Sequence, residues 1–256
     1  MRWVVPVIAM SMLLTACTMS AQTTDEPSAI LRFSDGRDDL SHLPAINQAL
    51  MPAGVRLETV HLPAPARPLL ESSEVRPLTL TEQSQLLEIF ALSRQEIVAL
   101  TRAAGREPVI AGGGSMRTGE VGVPPYPKIY DLRSMGPTDR FAARDKFARL
   151  HVNSTDDGVG VDEVMTLVAG GPWTWYFMLE DDVVVELHMS RVTTTGPGWR
   201  LSYPGLTPHG GHFHAEDGLC VAYITGPEVW KMRYDAPGAA GSHMLGKNPW
   251  IDFTPK

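Results

Sequence analysis

Glu163-Val-Met-Thr-Leu-Val-Ala-Gly170 and Gly198-Trp-Arg-Leu-Ser-Tyr-Pro204-Gly-Leu-Thr-Pro-His209 decide how this chain is read. Both are runs of strand length bounded by glycine, and each carries one side chain able to bind a metal, Glu163 and His209. Between them, Trp173-Thr-Trp-Tyr-Phe-Met-Leu179 and Val183-Val-Val-Glu-Leu-His-Met189 are aromatic or β-branched runs. Asp181-Asp182 has the chemistry of a hairpin turn. The chain is therefore predicted strand-like from residue 145 to about 235.

Working outward, the upstream texture is helical. Residues 42–50 read as a short helix stopping near Gly54, and Val55-Arg-Leu-Glu-Thr-Val60 alternates like a half-buried strand. Residues 62–76 are Pro-rich and read as loop. Thr79-Leu-Thr-Glu82 and Ser93-Arg-Gln-Glu96 are capping-box patterns opening two helices, the second closed by Gly105. Gly112-Gly-Gly114 and Pro124-Pro125 mark loops. The last segment, 236–256, is a Gly/Pro-rich tail whose Trp250 and Phe253 are placed to dock on the body.

Composition narrows the function classes. The chain has 256 residues, 43% of them hydrophobic, which is enough for a packed core. Its formal charge is −7 and no long Lys/Arg block occurs, so a nucleic-acid partner is not expected. Twenty-three glycines and 21 prolines favour a loop-rich or β-rich fold over a helical bundle. No Lys-Ser/Thr follows the glycine triplet, which excludes a phosphate loop, and no Gly-x-Ser-x-Gly elbow offers a hydrolase nucleophile. Asp156-Asp157-Gly158 reads as a turn, without the further ligands a calcium loop needs.

The N-terminus reads as a targeting segment. Arg2 precedes the apolar run Trp3 to Met10, too short to span a bilayer as a stable helix, and Leu14-Thr15-Ala16-Cys17 follows. These residues resemble the lipobox of bacterial lipoproteins; the alternatives are an ordinary cleaved signal or a short anchor. The resemblance implies residues 1–16 as signal peptide, lipidation at Cys17 and membrane attachment through that lipid. With Thr18 next, it implies an outer-membrane lipoprotein facing the periplasm of a Gram-negative envelope. Residues 17–41 then read as a tether. Cys220 remains, in the apolar run Leu219 to Ile224, where a buried inert thiol is expected.

Three histidines cluster at His209, His212 and His214. On an extended strand His212 and His214 share a face and His209 points away, unless Gly210-Gly211 bends the chain. The spacing of Glu163 to Gly170 and of Gly198 to Pro204 and His209 resembles the two cupin motifs. Within that superfamily, Asp145-Lys-Phe-Ala-Arg-Leu-His151-Val-Asn153, Val161-Asp-Glu163-Val-Met165, Pro204-Gly-Leu-Thr-Pro208-His209 and Gly226-Pro-Glu-Val-Trp230 resemble phrases of the acireductone dioxygenases, in the same order. The first motif departs from the family's pattern. Asn153 stands where a histidine is usual, and nine residues rather than three or four separate it from Glu163. Leu206 takes a usual glycine position, and Met165 replaces an arginine suited to an anionic enediolate.

The resemblance implies a mainly β fold: a cupin-type β-barrel at 141–235 with an N-terminal helical segment, here an α+β extension at 42–140. It also implies a divalent metal, Fe(II) or Ni(II), held by His151, Glu163 and His209. Asn153, His212 and His214 are possible additional metal or substrate contacts. Two histidines and a carboxylate are the donor set of non-haem iron oxygenases. A lipidated envelope protein would not meet a cytoplasmic substrate, so the small-molecule ligand is expected to differ from the family's. Three readings stay open: a lipid-anchored metal-dependent cupin with dioxygenase-like chemistry, a non-catalytic small-ligand or metal-binding cupin, and a metal-free isomerase or epimerase using His151 or His209 as general base. Structural roles for these histidines, and a surface role for His212 and His214, are the alternatives.

Overall fold

The computed structural model describes residues 27–107, 127–227 and 229–253. Cys17 with the signal segment, the glycine triplet, Pro124-Pro125 and Glu228 lie outside them.

The N-terminal part runs β1 (Ala29–Phe33), α1 (Leu43–Leu50), β2 (Arg56–Val60), α2 (Arg67–Val75), α3 (Leu80–Ile89), α4 (Arg94–Ala103) and β3 (Lys128–Asp131). The body follows with α5 (Pro137–Phe147), β4 (Val152–Ser154), β5 (Asp162–Gly170), β6 (Trp173–Met178), β7 (Val184–Met189), β8 (Gly198–Pro204), β9 (His209–His212), β10 (Gly218–Thr225) and β11 (Lys231–Arg233). Both capping boxes form: Thr79 and Ser93 each accept from the backbone N–H three residues on, and Glu82 and Glu96 reach back to the cap. Gly54 ends the first helical segment in the left-handed region at φ 69°.

The strands are antiparallel throughout. One sheet has the order β1-β7-β6-β9, a second β2-β8-β5-β10-β3, and β11 pairs with β4. The two larger sheets pack face to face. Phe177 of β6 meets Tyr203 of β8 with ring centroids 5.3 Å apart, and the indole N–H of Trp175 donates to the Tyr203 hydroxyl at 3.3 Å. Strands β5, β6 and β10 are almost wholly buried, which is why they read as unbroken apolar runs rather than alternating ones. The outer face of β6 is covered by the tail: Trp250 packs in the cluster of Tyr176 and Val184 and donates to the Val184 carbonyl at 3.1 Å. Phe253 lies under the Arg149 guanidinium.

Several expectations need correction. Among the described residues the ladders form no closed barrel; they end at β1 and β9 in one sheet and at β2 and β3 in the other. The stretch read as a tether contains β1, which pairs with β7 from Ala29↔Met189 to Phe33↔Val185. Its signal was the short alternation Ala29, Leu31, Phe33 facing inward. Strands β2 and β3, from the segment read as an extension, belong to the same sheet as β5, β8 and β10. Residues 67–75 are helix rather than loop, because Pro68 occupies the first turn, where a missing N–H breaks no hydrogen bond. Helix α5 was unforeseen; it buries no residue completely and so shows no apolar stripe. The strand-rich stretch read from residue 145 begins at Val152, because α5 runs to Phe147.

The capping box of α3 gives a pH test. A hydrogen bond from Arg76, then those from Thr79, hold the Glu82 carboxyl down to about 2. A depressed folded pKa stabilises above the unfolded value, roughly 4.3, and that stabilisation disappears as pH falls through the folded value. Glu82→Gln is expected to lower the urea midpoint at pH 7, and the gap to wild type should close between pH ~4.5 and ~2. A pH-independent gap would show that the charge is not the cause.

Candidate functional site

Three strands and a strand-like lead deliver the site. Glu163 is the second residue of β5, directly across from Tyr203 on β8 and Ile224 on β10. His209 begins β9 opposite Phe177, and His151 forms an isolated β-bridge with His209. Asn153 lies on β4. Directly paired residues point to the same face, so these pairings aim Glu163, Tyr203 and His209 into the space between the sheets. All are buried, with Glu163 4% and His209 2% exposed.

The contacts form one connected set. His209 Nε2 lies 3.0 Å from Glu163 Oε1. Asn153 Nδ2 donates to the same oxygen at 2.5 Å and lies 3.4 Å from His209 Nε2. Tyr203 donates its hydroxyl proton to Glu163 Oε2 at 3.0 Å. The His151 and His209 rings meet edge to face at 4.4 Å. Thus His151, Asn153, Glu163 and His209 lie together in one contact set.

Tautomers follow from the acceptors. His151 Nδ1 sits 2.7 Å from the Arg149 carbonyl and His209 Nδ1 sits 2.8 Å from the Thr207 carbonyl. A carbonyl only accepts, so each Nδ1 carries a proton and each Nε2 turns inward. Burial, followed by the charge of His209, lowers His151 to about 3, so it is neutral at pH 7. Burial works to raise Glu163, but attraction and hydrogen bonding from His209, with His151 and Asn153 adding, leave it below the usual carboxylate value. Burial and then the Glu163 charge raise Tyr203 far above the phenol range, keeping it a donor.

This arrangement suits a cation. His209 Nε2 and Glu163 Oε1 lie 3.0 Å apart, an approach that fits a proton on Nε2 donated to the carboxylate or a metal ion held by both atoms. Cis donors at roughly 2.1 Å from an octahedral ion lie roughly 3 Å apart. The Asn153 carbonyl oxygen is buried with no hydrogen-bond partner, an acceptor without a donor. Imidazoles pinned through Nδ1 to carbonyls are the usual support of metal-binding histidines. Against this, among the described residues no group of three or more His, Cys, Asp or Glu side chains is gathered as an ion would hold it. Glu163 spends both oxygens on Asn153, His209 and Tyr203. The donor chemistry therefore fits a divalent ion, while the side chains are arranged around one another.

The cavity over this set is about 50 Å³. Its walls include Met165, Trp175, Phe213 and Trp230.

His212 and His214 land elsewhere. His212 pairs with Thr174, on the opposite face of β6 from Phe177. His214 Nε2 and His188 Nδ1 lie 3.1 and 3.3 Å from the Thr174 hydroxyl, so His188, His212 and His214 form a separate outer group. Burial lowers all three, His212 to about 4 with help from His214. Neither His188 nor Tyr203 was picked out from the sequence. Pairing the two motif strands would have found Tyr203, which lies directly across from Glu163. Cys220 is free and fully buried, and burial pushes its thiol well up, as expected of an inert side chain.

No family model matches the chain, and no curated protein matches it. Among solved structures it is similar to acireductone dioxygenase from Bacillus anthracis with a cadmium ion in its active centre, at 18% identity and a TM-score of 0.49. That alignment covers 78% of this chain and 93% of the other. A likeness of this size transfers neither fold nor chemistry.

Tyr203→Phe removes the donor to Glu163 Oε2 and the acceptor for Trp175. Urea unfolding should show a loss of about 1–3 kcal/mol. A change within experimental error would mean that Glu163 does not depend on this bond.

Proposed function

We propose that this chain is a cupin-type protein holding a divalent metal with His151, Glu163 and His209, and that the centre performs dioxygenase-like oxidation of a small molecule. The observation that carries the reading is the 3.0 Å approach of His209 Nε2 to Glu163 Oε1 while His209 Nδ1 is pinned to a carbonyl. Fe(II) or Ni(II) there would supply a Lewis acid with open positions for substrate and O₂. The chain's own residues do the rest. The carbonyls of Arg149 and Thr207 orient the two imidazoles, and Tyr203 fixes the carboxylate. Asn153 donates to the carboxylate rather than adding a third imidazole, which weakens the donor set relative to three histidines and a glutamate. Trp175 and Phe213 give the cavity apolar walls.

A non-catalytic binding protein is the second reading. It is favoured by the same Asn153–Glu163 bond and by a cavity of about 50 Å³, which has room for an ion and its waters but not for a sugar-sized substrate.

Elemental analysis of untagged protein decides the metal. Near-stoichiometric iron, nickel or manganese is expected in wild type and its loss in Glu163→Gln and His209→Ala. Full occupancy in both variants would overturn the ligand assignment. Metal with O₂ uptake supports the enzyme; metal without any O₂-dependent turnover supports the binding protein.

Lipid attachment at Cys17 and an outer-membrane, periplasm-facing location belong to the same proposal. They are supported by the Leu14-Thr15-Ala16-Cys17 sequence and Thr18. Radiolabelled fatty acid should be incorporated in cells and lost in Cys17→Ala; equal labelling would refute it.

A further inference from the structure

The outer face of the β1-β7-β6-β9 sheet carries a histidine group that the proposed centre does not use. Register lays it out in one row: His188 of β7 lies across from Thr174 of β6, and Thr174 across from His212 of β9. Directly paired residues share a face. Neighbouring strands lie about 4.8 Å apart, so the two histidines flank a small residue across a gap of about 10 Å. His214 joins the same face two residues on, its ring 4.8 Å from that of His212 and 6.4 Å from that of His188. His188 and His212 are half-buried and His214 is exposed, so solvent reaches the group. Thr174, buried at the centre, has its hydroxyl 3.1 Å from His214 Nε2 and 3.3 Å from His188 Nδ1. A hydroxyl has one proton to give, so one imidazole accepts from it and the other donates to it. Two ring nitrogens from different strands thus already turn on one atom. Among the described residues no three such side chains are gathered as an ion would hold them, and here the hydroxyl occupies the point on which they turn.

Charge on this face selects the kind of ion. Glu186 is paired with Arg32 at 3.0 Å, and Arg32 also approaches Asp39 at 3.5 Å. Arg144, whose charge reaches His212, donates to the Asp252 carbonyl and lies over the Phe253 ring. An ion that depends on carboxylate oxygens therefore gains little here. One that prefers imidazole finds three, held mainly neutral at pH 7 because burial disfavours their charged forms. We propose that His188, His212 and His214 form a second metal site, open to solvent and separate from the inner set, that takes a nitrogen-seeking dication, Cu(II) in preference to Zn(II). His212 and His214 chelate as a pair from neighbouring positions on one face, and His188 completes the set by turning its ring from Thr174 to the ion. For nitrogen donors the order of divalent affinities puts Cu(II) first. A bound ion ties β7 to β9 across β6 and so stabilises the folded chain. The site does not rest on the inner reading: Thr174 faces away from Phe177, the residue paired with His209.

Cu(II) titration of the untagged full chain, buffered with glycine as a competing chelator, tests the site. It is run on wild type and on Glu163→Gln, or on His209→Ala should Glu163→Gln not fold, so that the inner donors are incomplete. One Cu(II) per chain is expected to remain in that inner variant, with nitrogen splitting in its electron paramagnetic resonance spectrum and a raised thermal midpoint. Adding His212→Gln or His214→Gln should weaken this binding at least ~10-fold and remove the rise in midpoint. Adding His188→Gln should take one nitrogen from the splitting pattern. Zn(II) should displace the Cu(II) only at higher concentration. The unloaded His214→Gln chain should keep the wild-type midpoint, since that side chain is exposed. Absence of bound Cu(II) from the inner variant would overturn the site, as would equal affinity after His212 and His214 are both replaced. Copper that excess glycine strips from wild type and histidine variants alike is an adventitious ion only and overturns it too. Copper lost with Glu163→Gln or His209→Ala but kept in the His212 and His214 variants would assign the ion to the inner set instead.

Discussion

A carboxylate with 4% exposure is the constraint around which this structure is organised. An ionised Glu163 in that position is tolerable only if every lone pair is answered. Tyr203 answers on one oxygen, while Asn153 and His209 converge on the other. Those three partners come from β8, β4 and the start of β9, so satisfying one side chain ties together the two larger sheets and the small one. The chain of dependence reaches further: Trp175 donates to Tyr203, and the histidines lean on the carbonyls of Arg149 and Thr207.

Bringing that many strands to one point leaves little space for backbone. At Gly205 a Cβ would lie 2.2 Å from the Val161 carbonyl oxygen and 2.6 Å from that of Asn153. The same crossing carries the bonds from Asn153 N–H to Gly205 and from Val161 N–H to Asn153. A glycine directly after Pro204 is thus what allows β4 to press Asn153 against Glu163. Gly210 does similar work one strand away, where a Cβ would meet the carbonyls of Phe147 and Ala148 at the end of α5. The departures from the cupin pattern at Asn153 and Gly205–Leu206 are therefore spatial neighbours, although the sequence separates them widely.

What could be read in the sequence was set by how local the signal is. The capping boxes of α3 and α4 are four-residue statements and were legible as such. So were β6 and β7, whose apolar runs flank two aspartates with φ of 57° and 61°. The convergence of His151, Glu163 and His209 was legible only through motif spacing, since no local pattern links β4 to β9. Tyr203 was hidden because its importance depends on register: one residue of slip would turn it to the other face. Helix α5 was hidden because a helix lying on the surface needs no apolar stripe, and β1 because five residues of alternation are weak evidence without the partner strand. The separation of His212 and His214 from His209 was the one parity argument that extended geometry settled, despite two intervening glycines.

That separation leaves two histidine groups on opposite faces of the same strands, and their surroundings give them different chemical potential. The outer group of His188, His212 and His214 gathers around a hydroxyl, Thr174. The carboxylate on that face, Glu186, acts on His188 and His214 but is already paired with Arg32 at 3.0 Å. The inner pair has a carboxylate 3.0 Å from one imidazole and an unpartnered amide oxygen beside it, so an arriving cation would remove a buried imbalance rather than create one. In the interior the low dielectric magnifies that difference, because an unanswered charge is costlier there than at the partly hydrated outer face. The inner set thus differs from the outer one in its buried carboxylate, Glu163, held in place by the Tyr203 hydroxyl.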